Sequence, residues 1–363
     1  MFCTSCVVCA RADAKKNCAR CGTVYCSPHC QQEHWTTGHK KKCKKIQRAG
    51  GAEQFYADAT AKYYADTAVL SCAAEGVPQD AECFICKSSI EGKGIVRGCA
   101  CRGTMGLAHV ACLVRQAEAS VNYYEEWHQG VGHNKWHKCF DCGQHFHGIV
   151  QLALGWACWK TYLGRPEASF DRCNALGTIG GALRLNACFD DALLVYEAHL
   201  AVLQRHYPNE DKFMLAVKNN LASCCSNMGL HDRAVRLQRE IHTRGVALYG
   251  ATEENVLLRS GCLGISLHAS GRFVEARTFL REQIPLIRTY FGPDHDHTLK
   301  ATQTLAASLN DDPASTRESR LEAETILQDV VERRFRVYGH AHPLAQESAG
   351  ALVKVRANLD RAA

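Results

Sequence analysis

The sequence lacks any long hydrophobic run. Its longest apolar segment, residues 149–159, contains Gln151 and ends before Lys160, well short of the roughly 18 residues that a membrane-spanning helix needs. The first residues, MFCTSCVVCARADAKK, have no apolar core of the kind that a secretory signal peptide carries. We therefore expect a soluble protein with no membrane partner, located in the cytoplasm, with the nucleus as the alternative.

The sequence also lacks an excess of positive charge beyond residue 50. Residues 1–50 hold ten Lys or Arg side chains against Asp13 and Glu33, a net charge of +8, so the remaining residues sum to −2 of the total of +6. The densest basic run contains Lys40, Lys41, Lys42, Lys44 and Lys45. No aromatic residue interleaves with it, which disfavours a nucleic-acid partner. The run fits nuclear import, acidic-peptide docking or, most simply, a solvated face.

Cysteine and histidine recur at short spacings in the first 142 residues. The first series is Cys6, Cys9, Cys18, Cys21, Cys26, Cys30, His39 and Cys43. Eight nitrogen and sulfur ligands are the number that two closed, four-coordinate zinc sites require. The CxxC spacing of several pairs favours metal binding in a reducing compartment over a disulfide framework.

With Tyr25, Gln31 and Trp35, the run YCSPHCQQEHWTTGHKKKC resembles a MYND zinc finger. The resemblance covers residues 6–43 and implies a cross-brace, in which the ligands alternate between two zinc ions. One ion would take Cys6, Cys9, Cys26 and Cys30, and the other would take Cys18, Cys21, His39 and Cys43. The resemblance also implies that this finger docks a proline-containing peptide.

Two features leave alternatives open in the first finger. Cys3 precedes Cys6 by the spacing that separates Cys6 from Cys9, so the ligand register could shift by three residues. His29 and His34 are alternative ligands. A MYND-linked lysine methyltransferase is disfavoured, because no Gly-rich cofactor loop or SET-like Asn-His pair lies beside the finger.

The second series is Cys83, Cys86, Cys99, Cys101, His109, Cys112, Cys139 and Cys142. The RING-CH finger of ubiquitin ligases and the PHD finger of histone readers share this ligand order. One residue separates Cys99 from Cys101 and seven separate Cys101 from His109, spacings that favour RING-CH and leave a PHD-like reader as the alternative. The run GCACRGTMGLAHVACL also resembles the RING-CH signature. This resemblance implies one zinc ion on Cys83, Cys86, His109 and Cys112, and a second on Cys99, Cys101, Cys139 and Cys142.

The RING-CH resemblance implies a ubiquitin ligase without a catalytic residue of its own. Zinc closed by four protein ligands has no open position for a substrate. The finger would therefore act by orienting a ubiquitin-conjugating enzyme and its thioester toward an amine. Ile85 and Leu113 match the positions at which the family contacts that enzyme.

The second finger departs from the RING-CH pattern at two places. Gln116 stands where the family commonly has tryptophan, a place that Trp127 or Trp136 could fill instead. Gly143 and Gln144 stand where active fingers often have a basic residue. The segment between Cys112 and Cys139 also contains three competing candidate ligands, His128, His133 and His137.

A repeat organises the rest of the chain. Four aligned alanines, at intervals of 42, 42 and 47 residues, are Ala192, Ala234, Ala276 and Ala323. Aromatic residues follow the same intervals at Tyr207, Tyr249, Phe291 and Tyr338. Apolar periodicity within each unit and glycines between its halves predict pairs of helices that stack as a solenoid. We expect the extra residues of the longest interval to lengthen the helix connection within residues 310–320.

The repeat period and motifs such as YFGPDHDHTLKA resemble the tetratricopeptide (TPR) repeats of kinesin light chain. The resemblance spans residues 172–355 and implies a concave face that binds a peptide. Lys218, Asn219 and Asn220 match the asparagine-bearing helix face of that family.

These patterns predict a mainly α protein with two small zinc-stabilised modules and a C-terminal α-solenoid. The expected parts are a MYND-type finger (1–48), a helical linker (49–79), a RING-CH-type cross-brace finger (80–148), a connecting helix (149–171) and a TPR-like solenoid of about four repeats (172–363). We expect four Zn²⁺ ions and a ubiquitin ligase that recruits a conjugating enzyme through the second finger and a protein substrate through the other parts. The alternative is a non-enzymatic adaptor.

Overall fold

Helices form most of the described chain and support the mainly α prediction. The computed structural model describes residues 6–9, 16–78, 80–88, 94–125 and 132–361. The chain divides into two compact units, residues 1–217 and 218–363. Within the described residues, no helix combines the length and the apolar character that a bilayer crossing requires.

The first finger combines a short hairpin with two helices. Strands β1 (Lys16–Asn17) and β2 (Val24–Tyr25) pair antiparallel. Helix α1 (Pro28–His34) begins after Ser27, whose side chain accepts a hydrogen bond from the Cys30 N–H at 3.2 Å. A π-type turn (Trp35–His39) leads to α2 (Lys40–Arg48), which buries Cys43 and Ile46. The cap and the turn thus position the last ligand candidates of this finger.

The second finger lies between longer helices. Helix α3 (Ala52–Ala74) precedes it and α5 (Gly148–Tyr162) follows it. Inside the finger are a 3₁₀ turn (Gly103–Gly106), helix α4 (Val110–Glu125) and a second 3₁₀ turn (Gly132–Trp136). Val96 pairs with Ala108 in an isolated antiparallel bridge.

One hydrophobic core joins the second finger to α3 and α5. The buried ligand candidates Cys83 and Cys139 belong to the same cluster as Cys72 of α3 and Leu154 of α5. Arg97 donates its backbone N–H to Cys72 Sγ at 3.5 Å. The finger is therefore folded into the N-terminal unit rather than attached to it through a linker.

The remaining helices follow one another in pairs. Their bounds are α6 (Phe170–Leu185), α7 (Phe189–His206), α8 (Asp211–Asn227), α9 (His231–Tyr249), α10 (Glu254–Ala269), α11 (Phe273–Phe291), α12 (Asp296–Asn310), α13 (Arg317–Tyr338) and α14 (Pro343–Asp360). In the first unit α6 packs against α7. In the second unit each helix from α9 to α13 packs against the next, and α12 also contacts α10 and α14. Contacts between alternate helices are typical of a stacked helix-pair repeat.

The repeat markers occupy equivalent places in these helices, which confirms the predicted period. The four aligned alanines lie near the starts of α7, α9, α11 and α13 and are fully buried. The aromatic markers end or directly follow the same helices. A longer connection lies where the sequence predicts it, because α12 ends at Asn310 and α13 begins only at Arg317. Helix α13 takes up the rest of the insertion, since it has 22 residues against 19 in α11.

Two glycines of α10 give a matched test of helix packing. A Cβ on Gly264 would lie 2.8 Å from Leu280 Cγ, in the buried contact with α11, whereas a Cβ on Gly261 would meet nothing within 4 Å. We expect Gly264→Ala to lower the free energy of unfolding of the second unit by about 1–3 kcal/mol through overpacking. Gly261→Ala should raise it by up to about 1 kcal/mol. Urea denaturation of both variants measures the difference, and equal effects would contradict the packing explanation.

Candidate metal centres

The first quartet lies between the N-terminal loop and α1. It consists of Cys6, Cys9, Cys26 and Cys30, whose sulfur atoms all lie within 4.8 Å of one another. Cys9 Sγ is 3.4 Å from Cys26 Sγ, and Cys26 Sγ is 3.6 Å from Cys30 Sγ. The structure therefore gathers these four residues into one cluster. Cys3, the alternative in this register, lies outside the described residues.

The second quartet is fully buried beneath α2. It consists of Cys18, Cys21, His39 and Cys43. Cys18 Sγ is 3.7 Å from Cys43 Sγ, and Cys21 Sγ is 3.4 Å from His39 Nε2. Nε2 is thus the histidine nitrogen that faces the thiols. Because residues of the two quartets alternate along the chain, the finger has the cross-braced order that the MYND resemblance implies.

The third quartet ties the start of the second finger to α4. It consists of Cys83, Cys86, His109 and Cys112. Here Nδ1 of His109 faces the thiols, at 3.5 Å from Cys86 Sγ and 3.7 Å from Cys112 Sγ. The His109 backbone N–H also donates to Cys83 Sγ at 3.5 Å.

The fourth quartet joins segments that are far apart in sequence. It consists of Cys99, Cys101, Cys139 and Cys142, again with all sulfur atoms within 4.8 Å. Cys101 Sγ lies 3.7 Å from Cys139 Sγ, across 38 positions of the chain. The antiparallel bridge between Lys138 and His145 holds the last pair of cysteines in a tight loop. The second finger thus has the same alternating arrangement as the first.

The donor sets and distances fit zinc. For a tetrahedral ion with zinc–sulfur bonds of about 2.3 Å, two ligand sulfurs lie roughly 3.8 Å apart. The close sulfur–sulfur distances in the quartets range from 3.4 Å to 3.9 Å. Thiolate and imidazole donors favour Zn²⁺ over hard cations such as Mg²⁺ or Ca²⁺.

Backbone N–H groups favour the thiolate form of one cysteine in each quartet, namely Cys6, Cys18, Cys83 and Cys142. Burial opposes ionisation of Cys6, but backbone N–H groups, led by that of Cys26, lower its pKa to about 6. The Gln144 N–H is the main cause that lowers the pKa of Cys142 to about 7. Conversely, the hydrogen bond with Cys9 raises the pKa of Cys26 to about 12. Each quartet therefore contains one cysteine whose ionisation the backbone favours, and thiols release their protons when a metal binds.

The competing histidines lie outside the four quartets. His34 Nδ1 is 3.0 Å from the Tyr25 hydroxyl. His133 Nε2 is 2.8 Å from Asp171 Oδ1. Burial lowers the pKa of His137 to about 4, which keeps its ring neutral. His29 is exposed and in none of the quartets, and His128 lies outside the described residues.

The second 3₁₀ turn anchors the finger on the helices that follow. His133 and Asp171 are both buried, and Arg165 forms an ion pair with the same carboxylate. Trp136 is 1% exposed and packs edge-to-face against Tyr162, at 6.0 Å between ring centroids. Trp136, suggested above as a replacement for the family's tryptophan, is thus a buried packing residue of this unit. Trp127 lies outside the described residues.

The His133–Asp171 contact should stabilise the N-terminal unit. We expect His133→Leu to lower its free energy of unfolding by about 1–3 kcal/mol, because leucine has no N–H to donate to the buried carboxylate. His29→Leu, at an exposed histidine, should change it by less than about 0.5 kcal/mol. Chemical denaturation followed by tryptophan fluorescence measures both variants. Equal stability of the two would show that the contact contributes nothing.

The predicted contact residues for a conjugating enzyme differ in exposure. Ile85 is partly exposed and packs on the core of the finger, whereas Leu113 is 7% exposed and lies within that core. Two other apolar side chains, Met105 and Phe140, are about half exposed. Lys135 lies over the Phe140 ring, with Nζ 4.1 Å from its centroid. Sequence reasoning missed Met105 and Phe140, although their places within ligand loops could have drawn attention to them.

The predicted peptide-binding residues lie on α8 and are partly buried. Lys218 forms an ion pair with Glu240 of α9. Asn219 Oδ1 accepts a hydrogen bond from Gln238 Nε2 at 3.2 Å. Asn220 is half-buried on the same helix. Two of the three side chains are therefore already engaged by the neighbouring helix.

Comparison with known families identifies the two fingers. Residues 3–43 match the family model described as the MYND finger, and residues 83–123 match the RING-variant domain. The chain carries both fingers. The MYND match begins at Cys3, and the RING-variant match ends before Cys139 and Cys142, the pair that the fold nevertheless brings into the fourth quartet.

Similarity to whole proteins is limited. Ubiquitin carboxyl-terminal hydrolase 19 of Arabidopsis thaliana is 55% identical over 40 residues, which is 11% of this chain and 6% of that protein. Two crystal structures of kinesin light chain TPR-like repeats from Podosopora anserina are each 16% identical, with TM-scores of 0.45, and cover 63% of this chain and 98% or 97% of their own. BtubC from P. vanneervenii is 13% identical, with a TM-score of 0.42, and covers 70% of this chain and 87% of its own. The assignment of helix-pair repeats rests on the contacts between helices described above.

Proposed function

We propose that this protein is a RING-variant ubiquitin ligase. The RING-variant match at residues 83–123, together with two closed ligand quartets in that finger, is the observation that carries the proposal. The MYND finger and the helix pairs supply surfaces for protein substrates, including a proline-containing peptide at the MYND finger. The protein works in the cytoplasm, with the nucleus as the alternative location.

In this proposal the four quartets hold four Zn²⁺ ions, two in each finger. Each quartet supplies four nitrogen or sulfur donors, so each ion is closed and has a structural role. The protein's own residues perform no covalent step. Ubiquitin passes from the conjugating enzyme's cysteine to a substrate lysine, and the finger holds the thioester and the amine in attack geometry.

The conjugating enzyme binds the apolar surface of the second finger. Ile85 is its main contact, because the side chain is partly exposed between two ligands whose positions the metals fix. Leu113 supports that surface from inside the core. Phe140 and Met105 extend it, since both expose apolar area in loops that the quartets constrain.

A substrate peptide binds along α8 in this proposal. Lys218, Asn219 and Asn220 lie on consecutive positions, and the ion pair and hydrogen bond to α9 hold the first two in place. Such preorganised polar side chains lower the entropy cost of binding an extended peptide.

The second candidate function is a non-enzymatic adaptor. Gln116 replaces the tryptophan that is common in the family, and Gly143 and Gln144 offer no cation where a donor ubiquitin would be contacted. These residues favour a finger that binds a partner without promoting transfer.

A ubiquitination assay separates the two functions. The zinc-loaded full chain is incubated with activating enzyme, ubiquitin, ATP and each member of a panel of conjugating enzymes. The ligase proposal predicts ubiquitin chains with at least one of them. If protein that contains about four zinc ions per chain forms no ubiquitin chains with any enzyme of the panel, the result would favour the adaptor function. Removing residues 83–142 is a poor control, since they share a core with α3 and α5.

A further inference from the structure

Five cations form one exposed stripe along α2. At about 100° per residue, positions 40, 41, 44, 45 and 48 fall on one side of the helix. All five side chains are exposed, whereas Cys43 and Ile46 are buried on the opposite side. We call Lys40, Lys41, Lys44, Lys45 and Arg48 the α2 basic face.

The α2 basic face has no carboxylate partner within the described part of the chain. Two exposed lysines elsewhere show what such a pair looks like: Lys62 Nζ is 2.8 Å from Asp66, and Lys354 Nζ is 2.7 Å from Asp311. On the basic face, the described contact is that of Lys45, whose Nζ lies 5.7 Å from the centroid of the Phe55 ring. The positive charge of this face is therefore not neutralised by the described fold.

This arrangement works against the stability of α2. Lys40 and Lys44, like Lys44 and Arg48, are four residues apart, a spacing at which equal charges repel. The first turn also contains Lys41 and Lys42 and no acidic residue, although the positive end of the helix dipole disfavours cations there. Lys45 and Arg48 lie in the last turn, where the dipole favours cations, so the conflict is confined to the first turn and to the equal charges four residues apart. A local conflict of this kind is typical of a surface that serves binding.

We propose that the α2 basic face docks an acidic segment of a partner protein. The face is about 12 Å long at 1.5 Å per residue, which matches about four residues of an extended peptide. Four of its five cations are lysines, whose flexible stems let each ammonium meet a separate negative charge instead of one planar group. No aromatic residue lies on α2 to stack with a base. The partner is therefore a run of about four Asp or Glu residues, and this proposal does not depend on ligase activity.

Fluorescence anisotropy with the zinc-loaded full chain tests the proposal. The probe is a fluorescein-labelled peptide with four consecutive glutamates, and the reference peptide has glutamines in their place. The combined variant Lys41→Gln, Lys44→Gln and Arg48→Gln removes three cations from the face. The matched control combines Lys62→Gln, Lys160→Gln and Lys212→Gln, which removes three exposed cations elsewhere. Zinc content and thermal melting verify that both variants fold.

We expect the wild-type chain to bind the glutamate peptide and not the glutamine peptide, with an affinity that falls as salt is added. The basic-face variant should bind about tenfold more weakly or worse, while the control stays within about twofold. Unchanged affinity of the basic-face variant, or no binding by wild type, would overturn the proposal. A labelled polyuridine RNA is the competing probe. If it binds the wild-type chain at least as tightly as the glutamate peptide does, and the basic-face variant no longer binds it, the proposal would be overturned in favour of a nucleic-acid partner.

Discussion

Removal of zinc by a strong chelator is expected to unfold the N-terminal fingers while the helices of residues 218–363 stay folded. Most of the ligand cysteines are themselves core residues in both fingers. Structural zinc contributes about 10–16 kcal/mol of folding free energy, as much as the whole stability of a typical domain. The described part of residues 218–363 has no such quartet. Near-ultraviolet circular dichroism and limited proteolysis, before and after chelation, measure the loss.

Two serine substitutions separate ligand loss from general loss of a cysteine. Cys112→Ser removes one member of the third quartet and should reduce the zinc content by at least one ion per chain. Cys262→Ser changes a partly buried cysteine of α10 outside the quartets and should leave the zinc content unchanged. A chelated chain that keeps its near-ultraviolet spectrum and its protease resistance would show that the fingers fold without metal.

Ile85→Ala should slow ubiquitin transfer by about tenfold to hundredfold. Truncation of an apolar side chain at the centre of an interface costs about 1–3 kcal/mol of binding. The substitution leaves all eight cysteine and histidine donors of the second finger in place. The zinc content and the near-ultraviolet spectrum should therefore remain those of the wild-type chain, so that the lost transfer reports on the contact. Initial rates of chain formation with an active conjugating enzyme measure the effect.

Leu70→Ala is the matched control for Ile85→Ala. Leu70 is 70% exposed on α3, so its truncation also removes surface apolar area but lies outside the second finger. Transfer by this variant should stay within about twofold of the wild-type rate. Equal rates for Ile85→Ala and wild type would place the conjugating enzyme elsewhere or exclude it from the finger.

Ligand spacing identified the two series of candidate ligands, and the family resemblances divided them into four groups. In a CxxC or HxxC pair, the short spacing lets both donors bind the same ion in only a few backbone conformations. The order of the pairs along the sequence therefore limits which pairs can share an ion. The structure gathers the same four sets of residues that the family resemblances imply. The long segment between Cys112 and Cys139 does not change the grouping of the ligands, since the bridge between Lys138 and His145 holds the Cys139–Cys142 pair in a tight loop.

The packing of the second finger was beyond what the sequence could predict. The contacts of Cys72 with Arg97 and of His133 with Asp171 join segments that periodicity and spacing treat separately. Trp136 is an example. The sequence alone allows an aromatic residue in a polar segment to be either exposed for a partner or buried in the core. The contact with Tyr162 shows that Trp136 is buried. The helix-pair repeat was easier to predict from the sequence, because its buried alanines and the aromatic residues at the helix ends recur at matching intervals.

The proposed ligase requires that the second finger promotes transfer from a charged conjugating enzyme. A single-turnover discharge assay measures this step, with ubiquitin-loaded conjugating enzyme mixed with free lysine and the zinc-loaded chain. We predict that the wild-type chain accelerates loss of the thioester for at least one conjugating enzyme and that Ile85→Ala largely abolishes the acceleration. A discharge rate equal to that without the chain, for every conjugating enzyme in the panel, would contradict the claim.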